Sequence, residues 1–298
     1  IKDLVNLSGV KAHTIRIWEK RYNLFEPDRT ETNIRIYNLQ DLVKLLNVSI
    51  LYTNGYKISK IAKLKESQIQ PLVEELTISG YGNSAINTFK TSMFKFDEQL
   101  FSKTFENLIL KKSFREVFFE VFLPLLNDIG TLWQTGTINP CHESFISELI
   151  KRKIIVSIER EISNFNKSGD TLIVLFLPYQ EIHEIGLLYT NYEVLASGHK
   201  TIYLGTNIPL DNLPNLLSVN NKIIFISYLT MLPEGKSIYD YIASYQKLVY
   251  SKKPCELWLL GSKVQVLDTT KIPLNIQVIK GLPALINKKS SLPPSWRT

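Results

Sequence analysis

The run from Thr171 to Leu177 (Thr-Leu-Ile-Val-Leu-Phe-Leu) constrains the fold of this chain more than any other stretch. Bounded by Gly169-Asp170 and Pro178, it reads as a strand buried on both faces, the mark of a parallel sheet covered by helices. Leu187 to Ser197 then reads as a helix closed by Gly198. The alternation continues, with candidate strands at 171–177, 200–204, 222–228, 256–261 and 275–280 and helices near 184–197, 209–218 and 236–250. This predicts a doubly wound, five-stranded parallel sheet of flavodoxin-like (Rossmann-type) topology over residues 169–283. Such sheets bind ligands at the carboxyl ends of their strands. There the chain places Leu177-Pro-Tyr-Gln-Glu181-Ile-His183-Glu-Ile-Gly186. A neutral imidazole at His183 is a competent metal ligand, Glu181 is close enough in sequence to orient its second nitrogen, and Gly186 would let a large flat ligand approach the backbone. On these residues alone, a His that caps the next helix is the simpler reading.

The rest of the chain is helical in pattern. Residues 84–94, 97–110, 113–135 and 139–166 carry apolar periodicity with few breakers, which predicts a four-helix bundle over residues 84–168. Residues 71–83, with Pro71, two glycines and serines around them, read as a linker, and 284–298 as a loose tail. At the amino end, Asp3–Leu7 and a helix from Ala12 flank the turn Ser8-Gly9-Val10, a helix-turn-helix whose second helix can enter a major groove. Ile15 and Trp18 face its core, leaving His13, Thr14, Arg16, Lys20 and Arg21 as candidates for DNA contact. The polar hairpin Glu26–Tyr37 follows, with Arg29 and Arg35 able to reach phosphates or a minor groove. The fold class is thus multidomain α and α/β: an N-terminal winged helix-turn-helix over residues 1–70, a helical bundle, and a C-terminal parallel sheet.

Charge placement agrees with a nucleic-acid-binding head. Residues 1–65 hold twelve Lys or Arg against six Asp or Glu, whereas the other 233 residues hold 23 against 22. No run of about 18 apolar residues suggests a membrane span. Cys141 and Cys255 have no paired spacing, so a reduced, cytoplasmic setting is the economical expectation. No phosphate loop, nucleophile elbow or zinc motif appears, and an enzyme reading is poor.

Two sets of residues carry a resemblance. Ser8-Gly-Val10, His13-Thr-Ile-Arg16-Ile-Trp-Glu19, Arg21-Tyr22, Pro27, Arg29 and Arg35-Ile-Tyr37 resemble, in order, the winged DNA-binding domain of MerR-type transcription regulators. Glu181-x-His183-x-x-Gly186, then Ser227-x-Leu229, then Gly261-Ser262, is similar to the signature of cobalamin-binding domains, with forty residues between Gly186 and Ser227. Gly205-Thr-Asn-Ile-Pro209 also matches that pattern. Together they resemble the B12-dependent photoreceptor repressors of carotenoid genes. The resemblance implies a cobalamin, with adenosylcobalamin the form expected, whose cobalt His183 ligates from below, and a bundle that caps it. It implies that Ser227 and the glycines line a slot for the displaced nucleotide tail, where Ser262 replaces a glycine. It further implies operator DNA as partner, contacted by the residues named above and Tyr37, and a homo-oligomer, dimer or tetramer.

The bundle carries Leu132-Trp133-Gln134, followed ten residues after Trp133 by Glu143-Ser144, where the photoreceptors it resembles have Trp and then Glu-His. Trp133 and Glu143 are therefore expected at the cofactor's upper face, although a Trp in a bundle reads on its own as core. Gln134 stands where those photoreceptors supply a second His, and His142 is the one other His in the bundle. The expectation is a light response without a stable bis-His product. The alternative expectation is a regulator whose B12 domain is degenerate, binds no cobalamin and signals through a protein partner. A cobalamin-dependent methyltransferase module is disfavoured by the DNA-binding head.

Overall fold

The computed structural model describes residues 1–78, 82–134, 136–163, 170–231, 237–265 and 267–289. The expected loose tail over 284–298 is corrected in its first part, where residues 284–289 belong to a final helix, Leu282–Lys289; residues 290–298 and the side chain of Gln134 lie outside the described residues. Chain contacts divide it into two units, Ile1–Ile150 and Lys151–Thr298.

The first unit begins with α1 (Lys2–Ser8) and α2 (Ala12–Tyr22). They turn at Gly9, whose φ of 71° is the left-handed conformation that closes α1. The hairpin of β1 (Asp28–Arg29) and β2 (Arg35–Ile36) is antiparallel, as expected for a wing. Helix α3 (Leu39–Thr53) opens on a capping box between Asn38 and Asp41. It buries Leu45, Leu46, Val48, Ile50 and Leu51 completely. The short α4 (Ile58–Ile61) follows.

Helix α5 (Glu66–Ile78) corrects the expected linker: residues 71–78 are helical, and Gly82-Asn83 already belong to α6 (Gly82–Lys95). Pro71 costs α5 one internal hydrogen bond, yet Ile69 and Val73 bury themselves at 4% and 2% exposure, and that packing holds the helix together. Residues 79–81 lie outside the described residues.

The bundle follows with α6, α7 (Glu98–Ile109), α8 (Phe114–Val117), a π-turn at Phe118–Phe122, α9 (Leu123–Gln134) and α10 (Pro140–Ser163). Phe89, Phe101 and Phe122 meet at its centre, with ring centroids 4.8 to 6.1 Å apart. Head and bundle share contacts within this unit. Asn54 bonds Ser84 at 3.1 Å, and the buried Lys90 ammonium reaches the Leu7 carbonyl at 3.3 Å and the Asp128 carboxylate at 2.7 Å.

The second unit is the predicted sheet: β3 (Thr171–Pro178), α11 (Ile185–Ala196), β4 (Lys200–Ile208), β5 (Lys222–Tyr228), α12 (Ile238–Tyr245), β6 (Glu256–Leu260), β7 (Ile276–Val278) and α13 (Leu282–Lys289). Its strands are all parallel, in the order β4-β3-β5-β6-β7, so the order reverses beside β3. The expected helix at 209–218 is a 3-10 segment, Leu210–Leu216, with Pro214 inside it. A fully buried β3 alternates its side chains between two helical layers. Val174, Phe176 and Phe225 face the layer of α12 through Tyr241, Ile242 and Tyr245, while α11 covers the other face.

Candidate functional site

The carboxyl end of β3 runs straight into the loop of Glu181 and His183, at the reversal of strand order where the sequence placed a site. Glu181 is 2% exposed and is the most heavily bonded side chain of this loop. Its Oε1 accepts the backbone N–H groups of Ile182 and His183, both at 3.0 Å, and the His183 ring Nδ1–H at 2.6 Å. Its Oε2 accepts Thr230 N–H at 2.8 Å, Thr230 Oγ1–H at 2.6 Å and Met231 N–H at 2.7 Å. Burial pushes the carboxyl up, but the donors from Thr230, His183 and Met231 outweigh it and hold the group at about 2.

An ionised carboxylate can only accept, so the proton of the neutral imidazole sits on Nδ1. The Nε2 lone pair is thereby left for a ligand, on a side chain that is 51% exposed. Among the described residues no group of three or more His, Cys, Asp or Glu could hold a metal. The loop can offer one nitrogen donor, and a metal held here would have to bring its other ligands with it. Around His183 the loops expose Tyr179 (54%), Ile182 (69%) and Met231 (51%). An apolar rim around a single nitrogen donor fits a broad, largely apolar metal macrocycle.

The remaining predicted positions divide between the two faces of the sheet. Gly261, with φ of 107°, closes β6 against Leu229, and a Cβ there would lie 2.4 Å from the Leu229 carbonyl oxygen. Its glycine is required by that backbone crossing. Ser262 is exposed, and its hydroxyl lies 3.5 Å from the Thr230 carbonyl, so its side chain does not crowd the crossing. Ser227 is wholly buried on the α12 face, and its Oγ lacks a well-formed hydrogen bond although the equally unsatisfied Tyr241 hydroxyl is its neighbour. Gly186 lies on the opposite face, at the start of α11. The Ser227 side chain and the bare face of Gly186 therefore do not line one slot. Thr230, Tyr179, Ile182 and Met231 were not singled out in the sequence. The apolar residues flanking His183 were the available signal.

In the bundle, Trp133 is 55% exposed, not the core residue that a bundle Trp suggests by itself, and Glu143 is half-buried. His142 is turned into an aromatic cluster, stacked on Phe96 (4.8 Å, 20°) and 5.3 Å from Phe94. Burial holds its imidazole below the usual range, and its Nδ1 is buried without a partner. A cleft of about 840 Å³ opens beside it, lined by Leu39, Phe94, Phe96 and His142 but by neither Trp133 nor Glu143.

In the head, His13, Arg16, Lys20 and Arg21 are exposed along α2 and Thr14 is half-buried. The wing residues are organised by Glu19, which the sequence reading left out of the site. Its carboxylate accepts Arg35 Nε–H at 2.9 Å on both oxygens and Tyr37 O–H at 3.0 Å, with Arg29 3.8 Å away. Burial and the Glu19 carboxylate push the Tyr37 phenol up to about 12, so it stays a donor to Glu19. Arg29 also bonds Asn33 Oδ1 at 2.8 Å across the turn.

Residues 1–68 match the family model described as MerR HTH family regulatory protein, and residues 85–156, on α6 to α10, match the one described as B12 binding domain. The chain is 27% identical over 214 residues to the HTH-type transcriptional repressor CarH of Myxococcus xanthus, covering 70% of each. It is 30% identical over 67 residues to the HTH-type transcriptional regulator MlrA of Salmonella typhimurium, covering 22% of this chain and 28% of that protein. Among solved structures, the monomethylamine corrinoid protein of Methanosarcina barkeri overlays with a TM-score of 0.46 at 12% identity, over 74% of this chain and 95% of that one. A cobalamin-binding protein from Desulfitobacterium hafniense gives 0.32 at 10% identity, over 74% and 95%. No helix among the described residues is long and apolar enough to cross a membrane.

Proposed function

We propose that this chain, in which a MerR-type helix-turn-helix domain precedes a B12-binding domain, is a non-enzymatic transcription regulator whose operator binding and assembly respond to a bound cobalamin. The observation that carries the reading is the buried Glu181 carboxylate, which fixes the His183 tautomer and leaves Nε2 of a half-exposed ring as the donor that would hold the cobalt of a bound corrinoid. Tyr179, Ile182 and Met231 supply the apolar surround for the ring system, and Thr230 locks Glu181 in place. When bound, an adenosylcobalamin supplies a cobalt–carbon bond that light can cleave. The chain's own part in a lasting light response would be a second imidazole. Gln134 offers a neutral amide in its place, and His142 would have to leave the Phe94–Phe96 cluster to serve. The proposal is therefore a ligand-responsive regulator whose light response lacks a stable bis-His state.

On DNA, the exposed His13, Arg16, Lys20 and Arg21 of α2 suit a major groove, and the Glu19-braced wing suits the flanking phosphates. A dimer or larger assembly supplies the second half-site. The test is the visible spectrum of the purified protein mixed with adenosylcobalamin in the dark, compared with His183→Ala. The expected result is a His-ligated spectrum in the wild type that is lost in the variant. Identical spectra would reject axial ligation, and no binding by the wild type would favour a degenerate B12 domain.

A further inference from the structure

Tyr228 stands between Ser227 and Leu229 in β5, so its side chain points to the opposite face of the sheet from Ser227. There its ring rests on Gly186. A Cβ at that glycine would lie 2.9, 3.2 and 3.3 Å from three carbons of the Tyr228 ring. Gly186 does not have a positive φ, so its missing side chain answers to this contact and not to backbone conformation. The ring is 8% exposed. Its hydroxyl lies 3.3 Å from Thr190 Oγ1, which in turn bonds the Gly186 carbonyl at 2.8 Å. Tyr228 thus fills the space between the end of β5 and the first turn of α11, three residues beyond His183.

That space matters for a corrinoid on His183. A cobalamin ligated by Nε2 has given up its own lower base, which stays tethered to the same face of the macrocycle as His183. The displaced nucleotide tail then has two places to go: into the protein beside the loop, or into water. Sheltering it over Gly186, at the first turn of α11, would require the Tyr228 ring to leave a buried, hydrogen-bonded position. Leaving it in water gains nothing for the displaced base, and a corrinoid without a tail has no base to displace.

We infer that Tyr228 sets the corrinoid specificity of this chain, closing the tail space over Gly186 so that corrinoids with and without a nucleotide tail are bound alike. The inference rests on the proposed His183 ligation and names the residue that decides which ligand of that class is taken. It is tested by titrating the full chain with aquocobalamin and with its tail-less counterpart, diaquocobinamide, following both the visible spectrum and the heat of binding. The wild type is expected to bind cobinamide within about threefold of cobalamin or more tightly. Tyr228→Val, which opens the space on a strand that tolerates Val, is expected to tighten cobalamin alone by about tenfold. Tyr228→Phe, which keeps the ring, should behave as the wild type.

A wild type that already prefers cobalamin by about tenfold or more, or a Tyr228→Val that shifts both ligands equally or neither, overturns the assignment. Failure of the wild type to bind either corrinoid overturns the cobalamin reading itself, and this inference with it. The contact is checked without any ligand by a double-mutant cycle on thermal stability. Gly186→Ala should lower the melting midpoint in the wild type and not in the Tyr228→Val background. Equal losses in both backgrounds would show that the ring is not what Gly186 accommodates.

Discussion

Glu181 spends both oxygens on the loop that presents His183, three donors to each, and this makes the site dependent on pH in a defined direction. Its carboxyl is held at about 2 against an ordinary value of 4.5, so the stabilisation it lends is fully present above 4.5 and is lost as the pH falls through 2. Glu181→Gln turns an amide N–H₂ toward groups that are themselves donors, at a cost of about 1–3 kcal/mol. At neutral pH the variant should melt below the wild type, and the gap should close between pH 4.5 and 2. A gap that stays constant over that range would show that the carboxylate charge is not its source. The pairing of Glu181 with His183 was legible in the sequence because the two are neighbours on one loop. Thr230 was not, since it reaches Glu181 across 49 residues and only through the parallel pairing of β3 with β5. The separation of Ser227 from Gly186 was hidden for a related reason: which face a strand residue takes depends on the register of the whole sheet.

At the scale of elements, apolar runs and breakers placed the strands to within a few residues and the bundle helices nearly as well, because each buries a continuous face. The linker misled because Pro71 and the glycines were read locally, while Ile69 and Val73 decide the matter by burial. The wing shows the same limit. Its hairpin was legible from the pattern of Glu26 to Tyr37, yet the device that holds it is Glu19, sixteen residues from Arg35 on another element. This gives Glu19→Ala an informative sign. Removing a negative charge from a DNA-facing region should by itself strengthen phosphate attraction. Releasing Arg35, Arg29 and Tyr37 from their common anchor should weaken binding by ordering cost and lost register. We expect the second effect to win, with operator affinity falling about tenfold while the melting midpoint moves little, as seen in a titration at fixed salt. Tighter binding by Glu19→Ala would mean that the wing arginines act as independent charges.

For the molecule as a whole, one helix spans the division between the two units. Helix α10 runs unbroken from Pro140 to Ser163, and the division between the units falls within it, after Ile150. Its first turn carries His142 and Glu143 in the first unit. In the second, Lys151 Nζ lies 2.8 Å from Glu184 Oε1, and Glu184 caps α11 immediately after His183 and also accepts Tyr203 O–H at 3.3 Å. The Lys151–Glu184 pair thus joins the residue after His183 to the part of α10 that lies in the second unit. Coupling between two ligands is reciprocal: the factor by which cobalamin changes operator affinity must equal the factor by which operator changes cobalamin affinity. We predict a factor of about tenfold in the wild type, measured both ways by titration. In Lys151→Ala the spectrum of the His183-bound ligand should persist while both factors fall together toward unity, and Lys151→Arg should restore them in part, since a guanidinium can still meet Glu184. If Lys151→Ala kept the full factor in both directions, the Glu184 contact would be a local brace for α11, and the signal would have to leave the sheet by another element.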